Sequence, residues 1–365
     1  MTINVRYALL IVLCANLPAQ VRLNQIQIIG SHNSYHAGMA PSETAWLAKL
    51  NQKSADALEY RHPSLDVQFD MGVRQVEIDI YADVKGGRFA HPANLKFVSE
   101  MGLPADPPFD PDGLFLKPGF KVMHAQDIDY RSNCQPFAGC LAVILNWSKA
   151  HPGHLPLFIL IETKEGKGRP YQQETEHFTP AVFDDLDKEI RSVIPAKKMI
   201  VPDDVRGKHA TLEEAVLTDG WPTLDAARGK IIFLLDQRKA EADYIAGHPS
   251  LKGRVIFTNA APGSPDAAFT EQNDPLKDPA LIPGLVKKGY LVRSRTDADT
   301  VQGRSGDTKM RDAAMASGAQ ILSSDYYFSE KASWSGFSVN FPNGEIVRCN
   351  PVVGPADCSK AIIGR

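Results

Sequence analysis

The sequence predicts an α/β protein built as a (β/α)8 barrel of the TIM type, on three observations. Eight short apolar, β-branched runs recur along the chain, near residues 26–30, 74–81, 120–124, 156–162, 230–235, 254–258, 290–294 and 320–323. Segments of helical period stand between several of them, among them Gly139 to Ala150, Ala181 to Val193, Leu276 to Lys288 and Asp307 to Ser317. Each run also ends in polar or titratable side chains, the pattern expected where the C-terminal ends of barrel strands build one active-site mouth.

The first run, Ile26-Gln27-Ile28-Ile29, stops at Gly30-Ser31 and delivers His32 beside Asn33. A lone histidine is more often a satisfied core residue, but at a strand end next to an amide it is a candidate catalytic group. In the second run, Val76-Glu77-Ile78-Asp79-Ile80, the two acids are two apart and share one face. Ion pairs with Arg74 or Lys121 would be the bland explanation. Two same-face carboxylates in an apolar strand otherwise repel unless a cation neutralises them. Residues 82–119, rich in proline, glycine and aspartate, read as a long loop over the mouth. The third run, Phe120-Lys121-Val122-Met123, ends at His124. His91, in Phe89-Ala90-His91-Pro92, competes for the same role, and His124 is preferred because it ends an apolar strand. The fourth run reaches Glu162, with Lys164 on the same face; the later ones end at Asp236, Asn259, Arg293 with Arg295, and Asp325. The stretch 333–365 reads as a tail that wraps the barrel.

A chain of 365 residues with 43% hydrophobic content can bury one large barrel core, and no composition shift, repeat or linker marks a second domain. A net charge of -3, with both signs mixed along the chain and no long basic stripe, gives no sign of a nucleic-acid partner, and binding to polyanions is not expected. At the N-terminus, Arg6 precedes the apolar stretch Ala8 to Ala15, and small residues follow near Pro18-Ala19-Gln20. This reads as an export signal over residues 1–20, too short to anchor in a bilayer, with an amphipathic helix or buried strand as the other reading. Residues 21–365 would then form a single catalytic barrel with its tail: soluble, without a transmembrane span, monomeric, and secreted or periplasmic. Without Cys14, four cysteines remain; spacing favours Cys134 with Cys140 and Cys349 with Cys358, though three connectivities are open. A structural zinc site is disfavoured because no Cys-x-x-Cys pair is present.

Asn33, Glu77, Asp79 and Glu162 offer only oxygen, which favours calcium, or magnesium, over zinc. One hard cation with two histidines suits a phosphodiester: His32 and His124 would supply base, phosphate stabilisation or acid, with Glu77 and Asp79 as further candidates for the base, and Lys164, Arg293 and Arg295 are candidates for binding further anionic groups.

Ser31-His32-Asn33-Ser34-Tyr35, Val76-Glu77-Ile78-Asp79, Lys121-Val122-Met123-His124 and Ile161-Glu162-Thr163-Lys164 resemble the successive strand motifs of the phosphatidylinositol-specific phospholipase C barrel. His124-Ala125-Gln126-Asp127-Ile128-Asp129-Tyr130-Arg131-Ser132, Val292-Arg293-Ser294-Arg295-Thr296-Asp297-Ala298-Asp299, Ala316 to Gln320 and Ser323-Ser324-Asp325-Tyr326 resemble its calcium-dependent, single-domain bacterial-type members. The resemblance implies that His32 and His124 are catalytic, that Asn33, Glu77, Asp79 and Glu162 hold calcium, and that Lys164 contacts the substrate's phosphate or headgroup; Arg293, Arg295 and Tyr326 are expected to contact substrate as well. It further implies a phospholipid substrate met at a membrane surface and cleaved into diacylglycerol and an inositol phosphate, cyclic or not. A glycerophosphodiester phosphodiesterase or a sphingomyelinase D-like enzyme would share the barrel and cation but fits the Ser-His-Asn and Glu-x-Asp motifs less well. A non-catalytic phosphoinositide- or sugar-binding barrel need not keep both histidines.

Overall fold

A computed structural model of the chain describes residues 20–166, 168–356, 358 and 359. The export signal expected over residues 1–20 therefore lies almost wholly outside the described residues.

Among the described residues ten strands follow in chain order: β1 (Ile26–Ser31), β2 (Gln75–Tyr81), β3 (Lys121–Val122), β4 (Leu157–Thr163), β5 (Ile231–Leu235), β6 (Ile256–Phe257), β7 (Phe269–Glu271), β8 (Leu291–Arg295), β9 (Ile321–Ser324) and β10 (Val347–Cys349). Eight of them run parallel in the order β6-β5-β4-β2-β1-β9-β8-β7. Between β6 and β7 the barrel is closed by a single parallel bridge, Asn259 to Phe269. Asn259 completes it with its side chain: Oδ1 accepts the backbone N–H of Glu271 at 3.0 Å. The expected eight-stranded barrel is thus present, nearly closed.

Two expectations about individual strands are corrected. The run at 120–124 contributes only Lys121–Val122, which pairs antiparallel with the end of β2, Ile80 opposite Val122 and Tyr81 opposite Lys121, so it lies on the rim and is not a barrel stave. The eighth stave is β7, three residues that offer too short an alternation to read from sequence. The helix expected from Leu276 begins only at Leu281. Pro279 disfavours helical torsions at Asp278, so the turn must finish before the helix can start.

Helices Leu65–Met71, Phe137–Ala150, Pro180–Val193, Leu281–Lys288 and Lys309–Ser317 supply the outer layer. One apolar cluster runs from the outward strand faces, such as Val76, Ile78 and Ile80, to helix residues such as Ile144 and Phe183. Close strand approach is required at Gly30, where an added Cβ would lie 2.0 Å from Gln75 Oε1. The 82–119 segment carries the helix Asn94–Glu100. The tail returns to the barrel through β10, antiparallel to β1. Cys134–Cys140 and Cys349–Cys358 are the disulfides formed.

Strand alternation positions the site. On β2, Val76, Ile78 and Ile80 face the helices, which sends Glu77 and Asp79 into the barrel. Asp79 is the register partner of Glu162 on β4, and paired residues point to the same side.

Candidate active site

Glu77, Asp79 and Glu162 each bring one carboxylate oxygen within 4.8 Å of the others. Such proximity inside a barrel is electrostatically costly. Burial pushes Glu77 up to about 7, and the Arg293 charge offsets this only in part. Burial and the Glu162 charge push Asp79 well above the carboxylate range. Glu162 goes the other way, because the Lys164 ammonium outweighs its burial. Lys164 Nζ sits between the last two, 2.9 Å from Glu162 Oε1 and 3.1 Å from Asp79 Oδ2.

Asn33 lies two residues beyond the end of β1, on a turn tied to Glu77. The backbone N–H of Ser34 donates to the Glu77 carbonyl at 3.0 Å, and Ser34 Oγ accepts the Glu77 N–H at 2.7 Å. Asn33 has φ 46°, a left-handed conformation that asparagine tolerates better than most residues. Its Oδ1 and Asp79 Oδ1 are both buried without a hydrogen-bond partner. Three clustered carboxylates, one of them with an unpartnered buried oxygen, and the orphaned buried amide oxygen of Asn33 are the kind of donors a hard divalent cation takes, so these residues fit calcium.

Each expected catalytic histidine is held by an aspartate. His32 Nδ1 lies 2.7 Å from Asp325 Oδ1, and its Nε2 lies 3.7 Å from Glu77 Oε1. Burial, with the positive charges of Arg295 and Arg293, holds this imidazole well below its ordinary range. A neutral ring donating Nδ1–H to Asp325 leaves Nε2 with a free lone pair. His124 Nδ1 lies 3.0 Å from Asp129 Oδ2, and its side chain is 27% exposed, accessible to a substrate. Asp129 is buried and also receives His36 Nε2 at 2.8 Å. Burial would raise the Asp129 carboxyl, but the two imidazoles outweigh it and hold the group well below the carboxylate range. His36 is raised by the same partner, against its own burial. His91, the competing histidine, is exposed on the 82–119 segment.

The expected substrate contacts divide. Arg293 is 2% exposed and donates to Glu77 Oε2 at 2.5 Å and to Asn273 Oδ1 at 2.9 Å, with Glu271 Oε2 3.5 Å away. This pairing makes it a brace for Glu77. Arg295 reaches Asp325 Oδ2 at 3.3 Å and so steadies the carboxylate behind His32. Tyr326, with Tyr60 and Asp325, lines a cleft of about 470 Å³ on the His32 side. Lys164, with His124 and Glu162, lines a second of about 380 Å³.

Asp129 and Tyr60 carry parts of the site that sequence reading missed. Asp129 stood within the His124 to Ser132 motif without a role, because an acid five residues after His124 in a loop has no fixed geometry relative to it. Tyr60 lies outside every strand motif, on a segment tied to the site by the His62 N–H to His36 carbonyl bond of 2.9 Å.

Residues 21–351 match the model of the family described as phosphoinositide phospholipase C, Ca2+-dependent. No curated protein sequence matches the chain. Among solved structures, the calcium-dependent phosphoinositol-specific phospholipase C of a Pseudomonas species, in an apo form and myoinositol complex, is similar with a TM-score of 0.55 at 16% identity. That match covers 90% of this chain and 96% of the other. The Ca2+-dependent phosphatidylinositol-specific phospholipase C of Streptomyces antibioticus gives a TM-score of 0.51 at 20% identity, covering 84% of this chain and 95% of that one. At these identities the likeness establishes the shared fold.

Proposed function

The chain belongs to the calcium-dependent phosphoinositide phospholipase C family, a family of phosphodiesterases, and on that premise we propose that it cleaves phosphatidylinositol-type lipids into diacylglycerol and a cyclic inositol phosphate. One observation carries the reading: three clustered carboxylates, two of them buried, lie between two histidines, each backed by an aspartate. The glycerophosphodiester, sphingomyelinase D-like and non-catalytic readings give way to the family.

Asn33, Glu77, Asp79 and Glu162 would hold the cation. Calcium bound there would supply positive charge to a phosphoryl oxygen and lower the pKa of a coordinated hydroxyl. His32 is the base: its free Nε2 takes the proton of the inositol 2-hydroxyl as that oxygen forms a bond to phosphorus. His124 is the acid: as the bond from phosphorus to the glycerol oxygen breaks, it gives that oxygen a proton, with Asp129 holding Nδ1. Both transfers need a fixed ring, and each aspartate supplies that. Lys164 steadies Asp79 and Glu162 and faces the cleft where an anionic group would lie. Magnesium could fill the same oxygen set, but it prefers a rigid octahedral shell with several waters, so calcium is the cation proposed.

Phosphatidylinositol turnover should therefore vanish on treatment with a calcium chelator and return with added calcium, more fully than with magnesium. Full activity of the stripped protein would refute the cation's role.

We place the mature protein, residues 21–365 as one catalytic barrel, outside the cytoplasm as a monomer acting at a membrane surface. The apparent signal supports this, as do the two disulfides, which persist in oxidising compartments. Among the described residues no helix is long and apolar enough to cross a membrane. Mass spectrometry of exported protein should find an N-terminus near residue 20 and no alkylatable thiol; four free cysteines would count against export.

A further inference from the structure

Asn33 is the one uncharged member of the proposed ligand set, and an amide binds a cation only through its oxygen. Its two ends differ little in shape, so something must decide which end faces the carboxylates. In this fold Asn33 Nδ2 donates to the Tyr60 hydroxyl at 2.7 Å, while Oδ1 is left buried without a partner. Tyr60 is itself firmly placed. Its ring packs on His36 with centroids 4.5 Å apart. Two residues on, His62 Nε2 donates to the His32 carbonyl at 2.8 Å, and His62 Nδ1 lies 3.1 Å from the Tyr327 hydroxyl. That pair of contacts uses both nitrogens of a neutral imidazole, consistent with burial pushing His62 down to about 4.

From this geometry we propose that Tyr60 is a positioning residue for the cation: its hydroxyl accepts the Asn33 amide N–H and so turns Asn33 Oδ1 toward Glu77, Asp79 and Glu162. The inference rests on the proposed calcium site and adds to it a residue that touches neither the cation nor the reacting atoms. Outer partners of this kind orient ligands for a metal, and their loss typically weakens binding by about 10- to 100-fold. Tyr60 contributes through one oxygen atom, so the lower end of that range is expected. Tyr60 also lines the cleft on the His32 side. A readout of calcium binding alone therefore separates positioning from substrate contact.

The test is a double-mutant cycle read by calorimetric titration of calcium into the metal-stripped full chain, without substrate. Tyr60→Phe keeps the ring on His36 and deletes only the acceptor. Asn33→Gly removes the amide and still adopts φ 46° without strain. Tyr60→Phe should weaken calcium binding by about 10-fold in the parent chain and by less than about twofold when Asn33 is already glycine, because contacting residues couple. Thermal melting of the metal-free Tyr60→Phe protein should match the parent. Equal weakening in both backgrounds, or none in the parent, would overturn the positioning role. If Asn33→Gly binds calcium as tightly as the parent, the ligand assignment itself is wrong, and the inference falls with it.

Discussion

His124→Ala should lose about 10²- to 10⁴-fold in turnover of phosphatidylinositol, the range for general acid catalysis, and far less with a nitrophenyl phosphodiester. Diacylglycerol leaves as a poor, basic alkoxide unless its oxygen is protonated as the bond to phosphorus breaks, whereas nitrophenolate departs unaided. His124 is accessible, and the buried Asp129 fixes its Nδ1, so Nε2 is the nitrogen free to deliver the proton. Comparing the two substrates in the same variant separates acid catalysis from general damage to the site. Equal losses for both would remove His124 from the acid role and return attention to His91.

A substrate whose inositol lacks the 2-hydroxyl should not be cleaved at a measurable rate. The proposed nucleophile is part of the substrate, and a well-oriented internal nucleophile has an effective concentration of about 10⁵ to 10⁸ M, roughly 7–11 kcal/mol of barrier. Water entering the same space would have none of that advantage. His32 matches this role, since a neutral imidazole with Nδ1 committed to Asp325 takes a proton only at Nε2. Phosphorus NMR of the products provides the check: the parent substrate should release a cyclic phosphate first, and the deoxy analogue nothing. Cleavage of the analogue within tenfold of the parent rate would point to attack by water.

Much of this site was legible before any fold was known, because strand alternation is a local rule. Glu77 and Asp79 had to share a face of β2, and Glu162 near the end of β4 and Lys164 just beyond it had to point the same way, whatever lay around them. The eight-strand count was legible for the same reason, though one stave was misassigned. The run at Phe120 has strand composition, yet composition does not say whether a strand enters a barrel or folds back on its neighbour's end. β7, with three residues, carries no period to detect.

What the sequence determined by itself was the fold class, the pairs of groups that alternation binds to one face, and the chemical character of the donor set. Those follow from hydrophobic period and ligand type, which act over a few residues. The tertiary structure alone decided the partners: Asp325 behind His32 across 293 residues, Asp129 shared by His124 and His36, Arg293 beneath Glu77 and Tyr60 against Asn33. Burial sets the charge state of such groups, and long-range packing sets which polar atom meets which. Neither is encoded in spacing, so the residues that tune this site became visible only once the barrel brought them together.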